Sequence, residues 1–102
     1  MSKQNFVLEI AIFTVKEEYV EKMVDLRDGL RKALKGFPGL MELHTYTPIG
    51  EGRIFADIAK WDTLENAMAA SNAFESGDER FMPYMSTIEE LQFMGHFVPE
   101  NA

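Results

Sequence analysis

Four side chains of this sequence have the chemistry to take a proton from a hydroxyl group: Glu9, His44, Asp57 and His96. All four fall on segments with strand character. Glu9 interrupts the otherwise apolar run Phe6–Val15. A carboxylate set among apolar neighbours loses hydration, and its proton affinity rises toward that of a general base for a phenolic hydroxyl. An ion pair or hydrogen bond to an adjacent strand or a partner chain is the other reading of Glu9. Asp57 lies in the middle of Arg53–Lys60, on the face shared by Phe55 and Ala59. If the two strands are neighbours and the faces agree, Glu9 and Asp57 approach one another. Paired carboxylates separate their proton affinities, which suits acid–base work. With the opposite register they point away from each other.

His44 and His96 are the only histidines. Each can abstract a proton or orient a ligand, because imidazole titrates near neutrality. Together with Glu9 or Asp57 they offer the ligand types of a facial metal site, although nothing in their spacing calls for a metal. Local hydrogen bonding and a dimer contact are the plainer alternatives. Trp61, the only tryptophan, can stack on an aromatic ligand or anchor a helix to a sheet through its apolar area. Met68, Phe74, Phe81, Met82, Tyr84 and Met85 form an aromatic and methionine cluster. Such a cluster lines an adaptable pocket, acts as its lid, or fills a core.

These residues must be positioned by a small set of elements. Arg53–Ala70 reads RIFADIAKWDTLENAMAA, a period-two strand that passes through Trp61 and Asp62-Thr63 into a helix. An earlier copy of the same logic runs from a strand at Phe6–Val15 into a helix at Glu17–Lys35. Both faces of that first strand are apolar, so both must be covered. In the first helix Val20, Met23, Val24, Leu26, Leu30, Ala33 and Leu34 recur at three- and four-residue steps. Acidic residues open it and basic ones close it, with Gly36 as a left-handed terminator and Pro38 as a stop. Leu40–Thr47 and Arg53–Lys60 form a hairpin around Pro48–Gly52. Asp62 or Thr63 caps the second helix, with Asp62 and Glu65 approximating a capping box. Leu64, Ala67, Met68 and Ser71 form its inner stripe. Asn72–Asp78 is a break, Glu79–Thr87 a short helix, Ile88–Phe97 a last strand, and Pro99 onward a tail. The order β-α-β-β-α-β predicts a ferredoxin-like α+β sandwich with an antiparallel sheet, the first and third strands central and both helices on one face. The uncovered apolar face calls for a homodimer packed sheet on sheet.

The chain has 102 residues, which suits one domain over 1–102. Its formal net charge is −7, which argues against nucleic acid and anionic membranes as partners. It has no cysteine, so disulfides and thiolate chemistry are excluded, and a reducing cytoplasm is the expected location. The apolar start MSKQNFVLEIAIF is broken by Glu9 and reads as a strand, not as a signal peptide. No apolar run reaches membrane-spanning length. No phosphate loop or nucleophile elbow is present.

The strand, the amphipathic helix, the Gly36-Phe37-Pro38-Gly39 turn and the hairpin ending in Lys60-Trp61-Asp62-Thr63-Leu64-Glu65-Asn66-Ala67 resemble the antibiotic biosynthesis monooxygenase superfamily over Phe6–Phe97. The resemblance implies a dimeric α/β barrel of two ferredoxin-like chains, with a pocket between helices and sheet in each. It implies cofactor-independent oxygenation of quinol-like or polyketide aromatics, haem degradation, or no known reaction, according to the branch. The haem-degrading branch uses an Asn on the first strand, where this chain has Ile10, and a Trp and His at the second helical region. Here that region carries Ala69 and Ala70, and Asn72–Tyr84 has no His. The quinol-oxidising branch commonly has a His where this chain has Ser71 or Asn72. The expected function is a monooxygenase-like protein with no bound cofactor, taking a small aromatic or quinol-type compound. Glu9, His44 and Asp57 are its expected acid–base groups. Trp61, Met68, Phe81, Tyr84 and His96 are its expected ligand contacts. The alternatives are a non-catalytic ligand-binding or interaction module and a metal- or haem-binding dimer.

Overall fold

Why the strands and helices fall where they do is visible in a computed structural model describing residues 5–100. Residues 1–4 and 101–102, the start of the N-terminal segment and the end of the expected tail, lie outside the described residues. The elements are β1 (Val7–Val15), a 3₁₀ turn (Glu17–Lys22), α1 (Met23–Leu34), β2 (Leu40–Tyr46), β3 (Ile54–Trp61), α2 (Leu64–Glu75), α3 (Met82–Met85) and β4 (Ile88–Phe97). The sheet is antiparallel throughout, in the order β2-β3-β1-β4. This is the ferredoxin-like α+β arrangement, with β1 and β3 central.

Strand alternation divides the sheet into two faces. Val7, Phe13 and Val15 of β1 and Phe55, Ala59 and Trp61 of β3 are buried with Met23, Leu30, Leu34, Ala67, Ala70, Phe81 and Tyr84. Leu8, Ile10 and Ile12 alternate to the other face, which also carries Ile54, Ile58, Phe93 and Phe97. No helix of the described chain covers it. The Phe93 and Phe97 rings stack there with centroids 6.0 Å apart. They close over Gly95, where a Cβ would sit 2.9 Å from Phe93.

The first helix begins later than its periodicity predicts. Glu17–Lys22 winds as a 3₁₀ helix, a tighter form common at helix starts. Val24, placed in the apolar stripe from sequence, is 77 % exposed, and the buried stripe is Met23, Arg27, Leu30, Ala33 and Leu34. The stripe of α2 also differs from expectation. Leu64 and Met68 face outward, while Ala67 and Ala70 are buried. Alanine lets the helix backbone approach the sheet closely, and the longer side chains are displaced to the rim.

Turn chemistry is shifted by a few residues. Gly36 does not adopt the left-handed conformation; Gly39 does, at φ 92°. A side chain at Gly39 would collide with Asp62 and Asn66, and the Gly39 carbonyl accepts from the Asp62 amide at 2.9 Å. That turn therefore seats the N-terminus of α2. The capping box of Asp62 with Glu65 does not form: Thr63 caps the helix by accepting from the Asn66 amide, and Asn66 donates instead to Asp62. The expected break from Asn72 is still helix as far as Glu75. It ends in a Schellman motif, with Gly77 at φ 83°, Gly77 N–H on Phe74 O and Asp78 N–H on Ala73 O. The last helix is a single turn, with Pro83 tolerated at its start.

Candidate functional site

A cavity of about 470 Å³ lies between the helix-covered face of the sheet and the three helices. Its floor is a cross-strand block of β1 and β3. Glu9 pairs with Ala59, and Ala11 pairs with Asp57. Two alanines therefore leave room above the sheet, and the two carboxylates sit at opposite corners of that space. Leu43 of β2 and Ile88, Leu91 and Met94 of β4 extend the floor. Leu30 and Leu34 of α1, Ala70, Ser71 and Phe74 of α2, and Phe81, Tyr84 and Met85 close it from above.

Glu9 and Asp57 share a face, as one of the two sequence readings requires, but they do not bond to each other. Each has its own partners. Glu9 Oε2 is 2.9 Å from His96 Nε2, and Glu9 Oε1 accepts from Trp61 Nε1 at 3.4 Å. Burial raises the Glu9 carboxyl above its ordinary proton affinity, while His96 and the Trp61 indole pull it back. Asp57 Oδ1 accepts from Arg27 Nη2 at 2.8 Å, and Asp57 Oδ2 accepts from the Tyr84 hydroxyl at 2.6 Å. Arg27 Nε donates to the Tyr84 oxygen at 3.3 Å, closing a three-membered ring of interactions. Burial raises the Asp57 carboxyl as well, opposed by Tyr84 and Arg27. The Tyr84 phenol is pushed well above its usual value by burial and by the neighbouring Asp57 charge, so it stays protonated. Both carboxyls shift upward, each opposed by its own partners.

Other expected site residues are distributed differently. His44 is on the open face of the sheet, exposed and bonded to Glu42 at 3.0 Å, because its neighbour Leu43 points into the cavity. It is removed from Glu9 and Asp57 by the thickness of the sheet, and it cannot share a metal with His96. Among the described residues no three His, Asp or Glu side chains cluster as metal ligands. Trp61 is fully buried and acts on the cavity through its N–H to Glu9, not through its ring face. Met68 is 37 % exposed on the outer side of α2 and does not line the cavity. Phe81 and Tyr84 do line it. Phe81 stacks between Phe37 and Phe74, with centroids 5.6 and 5.4 Å away, so it is core and cavity wall together. His96 stands behind Glu9, partly buried.

Ser71, expected on the inner stripe of the second helix, lines the cavity. Arg27 has no expected role, and the structure places it behind the wall, bonded to Asp57 and Tyr84. Arg27 was legible in principle. It continues the spacing Met23, Arg27, Leu30, Leu34, so a cation lies on the buried stripe of a helix while Asp57 lies on a buried strand face. Each implies the other, since a buried charge requires a partner.

No known protein family matches the sequence, and no curated protein is similar to it. Solved structures are similar in fold. A candidate antibiotic biosynthesis monooxygenase of Bordetella bronchiseptica is 16% identical, with TM-score 0.77, over 92% of this chain and 96% of that one. A monooxygenase from the gene ActVA-Orf6 of Streptomyces coelicolor, in complex with nanaomycin D, is 18% identical, with TM-score 0.66, over 96% and 89%. SnoaB, a cofactor-independent oxygenase from Streptomyces nogalater, is 15% identical, with TM-score 0.58, over 93% and 91%. The class is thus a ferredoxin-like α+β domain with a ligand-sized cavity between sheet and helices. Its particular form is the fold that these solved monooxygenase structures share.

Proposed function

We propose that this chain binds a small aromatic, quinol-type compound in the cavity and oxygenates it without a bound cofactor. The observation that carries this reading is Glu9. It is a part-buried carboxylate with raised proton affinity, facing a cavity walled mostly by aliphatic and aromatic side chains. The volume, about 470 Å³, is in the range of sites for small organic ligands. Asp57 is ion-paired with Arg27 and takes the Tyr84 hydroxyl at 2.6 Å, so Asp57 orients; Glu9, whose partners are an imidazole and a long indole N–H bond, is the base. Glu9 takes the proton of a ring hydroxyl, and His96 and the Trp61 N–H hold the carboxylate in place. The resulting electron-rich anion forms a carbon–oxygen bond with dioxygen. The O–O bond then breaks. One oxygen atom stays on the ring compound, and the other leaves as water with two hydrogens from the substrate. General-base help of this kind is worth about 10²–10⁴-fold.

The uncovered sheet face supports a second part of this reading, a homodimer closed sheet on sheet. Its apolar side chains, Ile54, Tyr46, Phe93 and Phe97 among them, are half exposed in the single chain. A cytoplasmic location fits the absence of cysteine.

One observation favours a non-catalytic binding module instead. Every buried side-chain nitrogen and oxygen among the described residues already has a partner, as in a site that only holds its ligand. Oxygen uptake separates the two readings. With a naphthohydroquinone as substrate, uptake above the spontaneous rate that falls by about 10²-fold in Glu9→Gln supports catalysis. Tight binding of the ring with uptake no faster than the spontaneous rate supports the module.

A further inference from the structure

The cavity wall is rich in hydrogen-bond acceptors and poor in donors. The charged residues that line it are Glu9, Asp57 and Glu75, and no lysine, arginine or histidine joins them. Arg27, the cation nearest this wall, is spent on Asp57, on Tyr84 and on the Tyr46 and Ala56 carbonyls. The His96 nitrogen that faces the wall is spent on Glu9. The lining side chains hold two hydroxyls; that of Tyr84 is given to Asp57, which leaves Ser71. Each carboxylate, by contrast, has about four lone-pair positions and uses two of them.

We propose that this cavity selects the uncharged dihydroxy form of an aromatic ring and discriminates against both the oxidised dicarbonyl form and ring carboxylates. This rests on the ring-binding reading above and adds the ligand's charge and redox form. Glu9 and Asp57 are diagonal neighbours on adjacent strands, a relation that spans about 7–8 Å. A ring lying on Ala11 and Ala59 between them turns one hydroxyl toward each carboxylate. A quinone of the same outline presents two carbonyl oxygens to two carboxylates, and the one uncommitted hydroxyl of the lining, that of Ser71, can satisfy at most one of them. A ring carboxylate adds a fourth negative group to a wall with no free cation. The overall charge of −7 acts in the same direction on approach. If the ring is oxidised in place, its product is the form the wall holds least well, and release follows from the same geometry.

Anaerobic calorimetry at neutral pH tests this with four probes: a naphthohydroquinone, the matching naphthoquinone, the naphthohydroquinone bearing a ring carboxylate, and the methyl ester of that acid. The hydroquinone and the ester bind more tightly than the quinone and the carboxylate by about tenfold or more, the scale of one unsatisfied buried acceptor. The ester separates charge from bulk, because it is larger than the acid and uncharged. Glu9→Gln replaces a pure acceptor with a group that also donates, so the quinone gains affinity in that variant. Lowering the pH has the same effect in the unaltered chain, since protonated Glu9 becomes a donor, and this arm stands even if the variant fails to fold. Equal binding of hydroquinone and quinone, or an ester as weak as the acid, overturns the inference alone. Failure of all four rings to bind removes the ring-binding reading and this inference together.

Discussion

The Tyr84 hydroxyl donates to Asp57 across 2.6 Å, and that bond joins the one-turn helix α3 to the centre of the sheet. The same oxygen accepts from Arg27, so one phenol serves two charged groups. Its ring packs edge-on against Phe13, with centroids 5.9 Å apart. Tyr84→Phe keeps that packing and deletes both hydrogen bonds. Asp57 Oδ2 and Arg27 Nε lose their partners in a buried setting, which costs about 1–3 kcal/mol. Urea denaturation monitored by circular dichroism reads the loss as a lower midpoint. An unchanged midpoint would show that water replaces the hydroxyl.

The ion pair behind Tyr84 is more costly to break. Arg27 and Asp57 are both buried and lie 2.8 Å apart. Arg27→Met leaves the Asp57 charge without its cation, and loss of one partner of a buried pair costs about 3–5 kcal/mol. Arg27→Met combined with Asp57→Leu removes the stranded charge, so the double variant recovers part of the loss. A double-mutant cycle in urea measures the coupling. A double variant less stable than Arg27→Met would mean that Asp57 stabilises the fold through Tyr84 more than through Arg27.

Glu9 gives a pH dependence with a definite sign. Its folded-state proton affinity lies above the ordinary value of 4.5. A carboxyl raised in the folded state contributes stability that is fully present below the unfolded value and is lost as pH rises through the folded one. Burial of Asp57 acts in the same direction from its ordinary value of 3.8. The unaltered chain should therefore lose stability relative to Glu9→Gln as pH is raised from about 4 toward neutrality. Parallel urea titrations over that window check it. A difference that stays flat across the window would place Glu9 in a watery environment, and its role as a buried base would fall with it.

Much of this fold could be read from residue order, and the reasons for the remainder are local. The two apolar faces of Phe6–Val15, the Pro38-Gly39 turn and the strand-to-helix junction at Trp61 each have one natural three-dimensional solution. The stripe of α2 does not. Leu64 with Met68 and Ala67 with Ala70 both fit a helical stripe, at steps of four and three, and only the distance from helix to sheet decides which pair is buried. Parity likewise put Glu9 and Asp57 each on a definite face of its own strand, but the register that joins the faces is set by tertiary contacts. Their partners were beyond local reach, since Asp57 meets Arg27 and Tyr84 at sequence separations of 30 and 27. The face of His44 is open in the sequence for a related reason. Alternation along β2 separates it from Leu43, and which of the two meets the helices is settled only once the sheet is assembled.

The open face of the sheet leads to the remaining prediction. Ile12 pairs with Phe93 and Leu8 pairs with Phe97, so the exposed rings lie over an aliphatic floor. Phe93 and Phe97 are 43% and 44% exposed in one chain, and Ile54 and Tyr46 are more exposed still. A contiguous apolar patch of this kind marks an interaction surface, and burial of each large side chain contributes about 1.5–3 kcal/mol. A second copy of the same face is its most direct cover, because antiparallel sheets pack face to face across a two-fold axis. Sedimentation equilibrium should then report twice the 11.7 kDa chain mass at micromolar concentration. Phe93→Asp places a carboxylate in the middle of the patch, where burial without a partner is unfavourable. That variant should sediment as a monomer at concentrations where the unaltered chain pairs. Its cavity lies on the other side of the sheet, so ring binding measured by calorimetry should persist in the monomer if each chain holds a complete site. A well-folded monomer of the unaltered chain would mean that the patch is covered by a different partner, and the dimer would have to be given up.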